Sequence, residues 1–148
     1  MKIIIAGAGD VGFHLASLLS KESQDIYLID QDREKLEYAA NHLDVYTVVG
    51  DSTNPNVLKE ARVSEADLVI AVTDRQATNI LSGAVSKKLG AGTVVARVQN
   101  QAFLKDRGIF DLSELGIDSA IAPSDLLIQE IGRLLQESVA TDVFEFDD

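Results

Sequence analysis

The chain has no cysteine among its 148 residues, so neither a disulfide framework nor a thiolate metal site is open to it. It also lacks a long hydrophobic run. No apolar stretch exceeds five or six residues, which suits a buried strand and falls far short of a membrane span. Positive charge is scarce: 13 Lys and Arg stand against 24 Asp and Glu, a formal net charge of −11. That balance argues against wide contact with nucleic acid, which calls for a basic face, and against docking on anionic lipid. The opening Met-Lys-Ile-Ile-Ile-Ala-Gly reaches glycine too soon for a signal peptide, so a cytosolic protein is expected. There is no internal repeat at solenoid spacing and no low-complexity linker.

What remains is a well-patterned globular chain. Hydrophobic residues make up 46%, enough for one domain with a real core. Strand-like runs alternate with helix-like stretches. Lys2–Ala6 precedes Val11–Lys21, Asp25–Asp30 precedes Arg33–Asn41, and Val45–Val49 precedes Asn56–Ala61. Leu68–Val72 precedes Gln76–Leu89, and Thr93–Val98 precedes a more polar segment, Gln101–Leu115. A short run at Ser119–Ala122 leads to a final helix, Asp125–Glu137. The continuous apolarity of Ile3-Ile4-Ile5 and Leu68-Val69-Ile70-Ala71-Val72 marks strands covered on both faces. These six units predict an α/β fold: a Rossmann-type, doubly wound parallel sheet with right-handed crossovers and strand order 3-2-1-4-5-6. The last helix carries a broad apolar stripe of Leu127, Ile128, Ile131, Leu134 and Leu135. It suits packing on the sheet or crossing to a partner. The end, Val143-Phe-Glu-Phe-Asp-Asp148, alternates like the start of a further strand, and the chain is expected to be a piece of a longer protein.

Gly7-Ala8-Gly9-Asp10-Val11-Gly12 is a G-x-G-x-x-G. Its weight comes from context, because it follows an apolar strand and opens a helix. Gly7 permits the tight turn, Gly9 lets backbone approach a pyrophosphate, and Gly12 lets the helix lie close on the strand. Amide groups and the positive end of the helix dipole then face the phosphates. Asp30 ends the second strand, eighteen residues beyond Gly12. A carboxylate there reaches the ribose hydroxyls of NAD(H) and repels a 2′-phosphate, which disfavours NADP. The alternative role for Asp30 is to cap the next helix. Asp10 puts negative charge into an anion loop, and its side chain is expected to face solvent.

Ligands of open α/β sheets sit beyond the carboxyl ends of the strands. The third strand delivers Gly50, Asp51, Ser52 and Thr53 there, with Asp51 and Ser52 serving either adenine or ribose or the cap of the helix near Pro55. The fourth delivers Thr73 and Asp74, either to bound the ligand or to cap the Gln76 helix. The fifth delivers Arg97, to pair with a phosphate or with a carboxylate such as Asp74. Asn79 lies in the first turn of its helix near the same edge. No catalytic apparatus stands out. His14 and His42 fall on helices, and no Ser/His/Asp pattern, metal-ligand cluster or lysine motif appears.

Several strings in order resemble the TrkA-type RCK (KTN) domains, and within them the N-terminal nucleotide-binding domains of TrkA potassium-uptake subunits. They are Lys2–Gly12, Ile29-Asp30-Gln31-Asp32, Val49-Gly50-Asp51-Ser52, Ala66–Asp74, Thr78-Asn79, Val95-Ala96-Arg97-Val98 and Ala120-Ile121-Ala122-Pro123. The resemblance runs from residue 2 to about residue 137. It implies a Rossmann nucleotide-binding lobe at 1–122, and a crossover helix with the start of a truncated C-terminal lobe at 123–148. It implies a regulatory, non-enzymatic protein on the cytoplasmic side of a potassium transporter or channel, in homo-oligomeric rings of dimers, responding to NAD(H) or to ATP or ADP. Gly7, Gly9 and Gly12, with Ala8, Asp10 and Val11 between them, would hold phosphate. Asp30, with Gln31 beside it, would hold ribose. Asp51, Ser52, Thr73, Asp74, Asn79 and Arg97 would line the pocket. ATP-preferring members often carry arginine where Asp10 stands, so that departure counts against ATP. Two other readings share the pocket: the cofactor domain of an NAD-dependent oxidoreductase, and an adenine-nucleotide sensor with a different partner.

Overall fold

The computed structural model of the chain describes residues 1–22, 24–100, 102–105, 109–121 and 127–136. Strand and helix alternate as β1 (Lys2–Ala6), α1 (Asp10–Ser20), β2 (Asp25–Asp30), α2 (Arg33–His42), β3 (Tyr46–Val49) and α3 (Pro55–Glu60). They continue as β4 (Leu68–Ala71), α4 (Gln76–Lys88), β5 (Thr93–Arg97), α5 (Ala102–Lys105) and β6 (Ser119–Ile121). A last helix, α6, occupies 127–136. The six strands form one sheet in the order β3-β2-β1-β4-β5-β6. Every pairing is parallel, with Ile5 opposite Leu28 on one side and Ile70 on the other. This is the expected doubly wound Rossmann sheet. Its switch point lies at β1, where chain order runs outward to both sides.

The side-chain period of two sorts the strand residues between two layers. Ile3, Ile5, Leu28, Ile70 and Val95 face a cluster completed by Leu15 and Leu19 of α1, Leu36 of α2, and Leu127 and Ile131 of α6. Ile4, Ile29, Val69 and Val94 face the opposite way, onto Leu58 of α3 and Val63. At the carboxyl end the strands narrow to Ala6, Ala71 and Ala96, which are fully buried among Val98, Leu112 and Ile117. Small residues there bring the strand ends and the loops beyond them close together.

The expected elements are present, with limits that differ by a residue or two. The more polar segment expected at 101–115 contains, among the described residues, α5 and a 3-10 turn at Leu112–Leu115. Four-residue elements are too short to show a helical period, but Phe103, Leu104 and Leu112 still pack on the third cluster. The stripe of α6 is taken up by the chain's own sheet, where Leu127 and Ile131 are fully buried. The ends of the expected last helix, the boundary at 122/123 and the strand-like Val143–Asp148 lie outside the described residues.

If the buried stripe of α6 is part of this core, an Ile131→Ala chain should be less stable by about 3 kcal/mol, the ordinary cost of an emptied aliphatic site. Urea unfolding followed by circular dichroism measures it. A change under about 1 kcal/mol would mean that α6 is not docked there in solution.

Candidate functional site

The loop between β1 and α1 turns sharply at Gly7, whose φ of 115° lies in the left-handed region. Five residues on, a Cβ at Gly12 would overlap the Gly7 carbonyl oxygen and carbon. Only glycine lets α1 start so close to its strand. Gly9 differs: a Cβ there would meet no atom within 4 Å, because it would project into open space. The Gly7 N–H donates to Ile29 O at 2.8 Å, and the Ala8 N–H donates to Asp30 Oδ2 at 2.7 Å. No described residue accepts from the N–H groups of Gly9, Asp10, Val11 or Gly12, and no side chain caps α1. These are the orphan donors of a helix start.

That opening is part of a cleft of about 840 Å³ across the carboxyl ends of β3, β2, β1 and β4, within the usual range of small-molecule sites, roughly 300–1,000 Å³. Of the expected residues, Gly7, Gly9, Asp30 and Gln31 line it, as do Asp51, Ser52, Thr73 and Asp74. Ala8, Val11 and Gly12 shape the loop from behind. Asp10 is exposed and away from the cleft wall, as expected. A second hollow of about 590 Å³ lies at the β6 edge between α5 and α6, and none of the fingerprint residues reaches it.

Two expected residues sit elsewhere. Asn79 does not line the cleft. It is buried at 1% exposure behind the wall. Its Oδ1 accepts from Thr73 N–H at 2.8 Å and Thr73 Oγ1–H at 2.6 Å, and its Nδ2 donates to Thr73 O and Arg97 O. Asn79 therefore ties the ends of β4 and β5 together and sets where Thr73 stands. Arg97 closes β5 one strand beyond the cleft and does not line it.

The capping alternatives resolve in favour of neighbouring residues. Asp32 caps α2, accepting from Glu34 N–H and Lys35 N–H, and Asn54 caps α3. Asp30 Oδ1 accepts from Asp32 N–H at 2.8 Å. Asp51 Oδ1 accepts from the N–H and the hydroxyl of Thr53 at 2.9 and 2.7 Å. Those two donors, the backbone one first, hold the Asp51 carboxyl below its ordinary pKa. The helix α4, like α1, begins without a side-chain cap.

Sequence reasoning missed Lys35, Arg75, Thr78 and Leu81, all on the cleft wall, whereas Gly50 and Thr53 line it at the strand end where they were expected. Arg75 and Thr78 follow the end of β4, so carrying the carboxyl-edge rule one turn into α4 would have found them. Lys35 stands in the first turn of α2, so the same extension reaches it.

With the geometry in view, comparison with known proteins is informative. The TrkA-N domain family matches residues 3–123. A Trk system potassium uptake protein TrkA homolog from Archaeoglobus fulgidus is 40% identical over 146 residues, covering 99% of this chain and 33% of its own length. The chain spans about a third of the length of the curated relatives it matches. The TrkA-N domain of the inner membrane protein ybaL from Escherichia coli superposes with a TM-score of 0.71 at 18% identity, covering 92% of this chain and 94% of that one. The GsuK channel bound to NAD superposes at 0.68 and 18% identity, over 81% of this chain and 21% of that one. Both have the same fold.

Two outcomes follow from the loop geometry. Gly12→Ala should cost about 3 kcal/mol through overpacking, while Gly9→Ala should stay within about 1 kcal/mol of the parent; urea midpoints compare them. Asp51 should titrate below an ordinary carboxylate in carboxyl-detected NMR. A lowered folded-state pKa means that its contribution to stability is present above the ordinary value and is lost as pH falls through the lowered one. Thr53→Val, which keeps the N–H donor and loses the hydroxyl, should bring the midpoint partway back.

Proposed function

The chain belongs to the TrkA-N domain family, and from that premise we propose that it is the nucleotide-sensing lobe of a regulatory subunit of potassium uptake, with NAD(H) as its ligand. The observation that carries this reading is the cleft at the sheet's switch point, where the glycine loop opens at Gly9 beside Asp30 and the first amides of α1 have no partner among the described residues. A diphosphate diester has the charge and length to take those amides while its adenosine ribose reaches the β2 side. Asp30 can do this without releasing the loop. Each carboxylate oxygen has a second acceptor site, so a ribose hydroxyl can donate to an oxygen that already accepts Ala8 N–H or Asp32 N–H.

The relative named as a potassium uptake protein and the channel solved with NAD support assigning this chain to the cytoplasmic face of a potassium transporter or channel. No helix among the described residues is long and apolar enough to cross a membrane, so contact with a separate membrane subunit fits. The subunit acts by conformational change in a homo-oligomeric ring. A ligand drives such a change only through differential affinity for two ring states, and a nearly complete switch needs about 5.5 kcal/mol of it. The ligand is then a signal and not a reactant. The cleft offers it amides, hydroxyls and charges, and both histidines stand on helices, His14 within α1 and His42 at the end of α2.

Calorimetry against NAD+, NADH, NADPH, ATP and ADP tests this, on the parent chain and on Asp30→Ala. NADH should bind and NADPH should bind more weakly. Asp30→Ala should lose at least about tenfold in NADH affinity, consistent with the loss of a hydrogen bond to a charged acceptor. An unchanged affinity would remove Asp30 from the site.

A further inference from the structure

Five charged side chains line the cleft: Asp30, Asp51 and Asp74, with Lys35 and Arg75. The fold engages two of the three carboxylates. Asp30 accepts from two backbone N–H groups, and Asp51 accepts from the N–H and hydroxyl of Thr53. Donors from the chain itself have already taken up their charge. Neither cation, nor Asp74, has such a partner among the described residues. Among the described residues the Lys35 ammonium and the Arg75 guanidinium form no ion pair and no hydrogen bond, although carboxylates line the same cleft.

Their positions differ as well. Lys35 belongs to α2, on the β2 side. Arg75 immediately precedes the uncapped helix α4, on the β4 side, and its loop touches the glycine loop: a Cβ at Gly7 would stand 3.0 Å from Thr73 N. The Arg75 backbone is pinned. Its N–H donates to Thr73 Oγ1 at 3.3 Å, and its carbonyl accepts from Asn79 N–H at 3.1 Å. A fixed backbone with an unpaired guanidinium is a recognition element. The planar fork matches two phosphate oxygens at once. Arg97, the other arginine near this edge, lies off the cleft.

We propose that Arg75 is the specificity-determining residue for phosphate in this cleft, separating phosphorylated adenine ligands from the bare nucleoside. The inference rests on the nucleotide-binding reading above. Arg75 supplies the cation beside the glycine-loop amides, and Lys35, on the far side of that loop, does not share the task.

The test is calorimetry of the whole chain with adenosine, ADP and NADH, on the parent, Arg75→Gln and Lys35→Gln, with urea midpoints to confirm intact folding. Arg75→Gln should weaken ADP and NADH by about tenfold and leave adenosine within about twofold. Lys35→Gln should change ADP and NADH by less than about threefold. If adenosine falls as far as ADP, or if Lys35→Gln matches Arg75→Gln, the effect is one of shape or of the general field, and the proposal fails. If Arg75→Gln binds ADP and NADH like the parent, Arg75 is out of the site while the cleft reading stands. If the parent binds none of the three, the cleft reading itself falls, and this proposal with it.

Discussion

The carbonyl of Gly7 and the Cα of Gly12 pass so near each other that a methyl group has no room between them. That approach lets α1 begin right above the end of β1 and lay Leu15 and Leu19 onto the sheet. It also places the first turn of α1 at the carboxyl edge, where four N–H groups have no partner among the described residues. A serine or aspartate at the N-cap would satisfy one of them and stabilise the helix by roughly a few tenths of a kcal/mol over glycine. The chain has Gly9 there. Along the same edge α2 and α3 are capped by Asp32 and Asn54, whereas α1 and α4 are left open toward the cleft. Stability is forgone at the two helix starts where a ligand's oxygen atoms can replace the missing caps.

The walls of this opening are held by polar contacts that the ligand need not break. Asp30 spans the glycine loop and the start of α2, fixing Ala8 and Asp32 at once. Asn79, wholly enclosed, has an acceptor bound to Thr73 and donors bound to the carbonyls of Thr73 and Arg97. A buried amide with all its partners in place rigidifies what it touches, and here it touches the wall that carries Thr73 and Arg75. Gln76, next in the chain, accepts from the N–H groups of Gln99 and Asn100. The first turn of α4 therefore belongs both to the cleft and to the segment that follows β5.

The sheet, its order and the glycine loop were legible in the sequence because they rest on period and backbone freedom, which are local. Ile3-Ile4-Ile5 can only be a covered strand, and the spacing of Gly7, Gly9 and Gly12 has one economical explanation. Most of the cleft residues expected at the strand ends also line it, including Asp30, Asp51 and Thr73. What did not show was side-chain direction beyond a strand end. Asn79 and Thr78 are neighbours, yet one points into the protein and the other toward the cleft. Asp51 and Asn54 are both plausible caps, and the choice between them depends on where Thr53 turns. Arg97 satisfies the carboxyl-edge rule but belongs to β5, one strand past the cleft's limit. α5 is too short for any periodicity to reveal it.

A net charge of −11 would seem to oppose an anionic ligand. The distance dependence of electrostatics resolves the difficulty. At physiological ionic strength the Debye length is about 8 Å, so most of the surface charge is screened from the cleft. What a phosphate meets at contact is the local set of donors. Asp30 and Asp51 are each turned onto hydrogen-bond donors of the chain, and Asp10 is directed to solvent outside the cleft. The amides of α1 and the two cations are left without acceptors. An anion therefore approaches against a weak, screened repulsion and arrives among donors that are otherwise unsatisfied. Affinity in such a site comes from short-range hydrogen bonds to groups already in place, so it should tolerate an acidic surface.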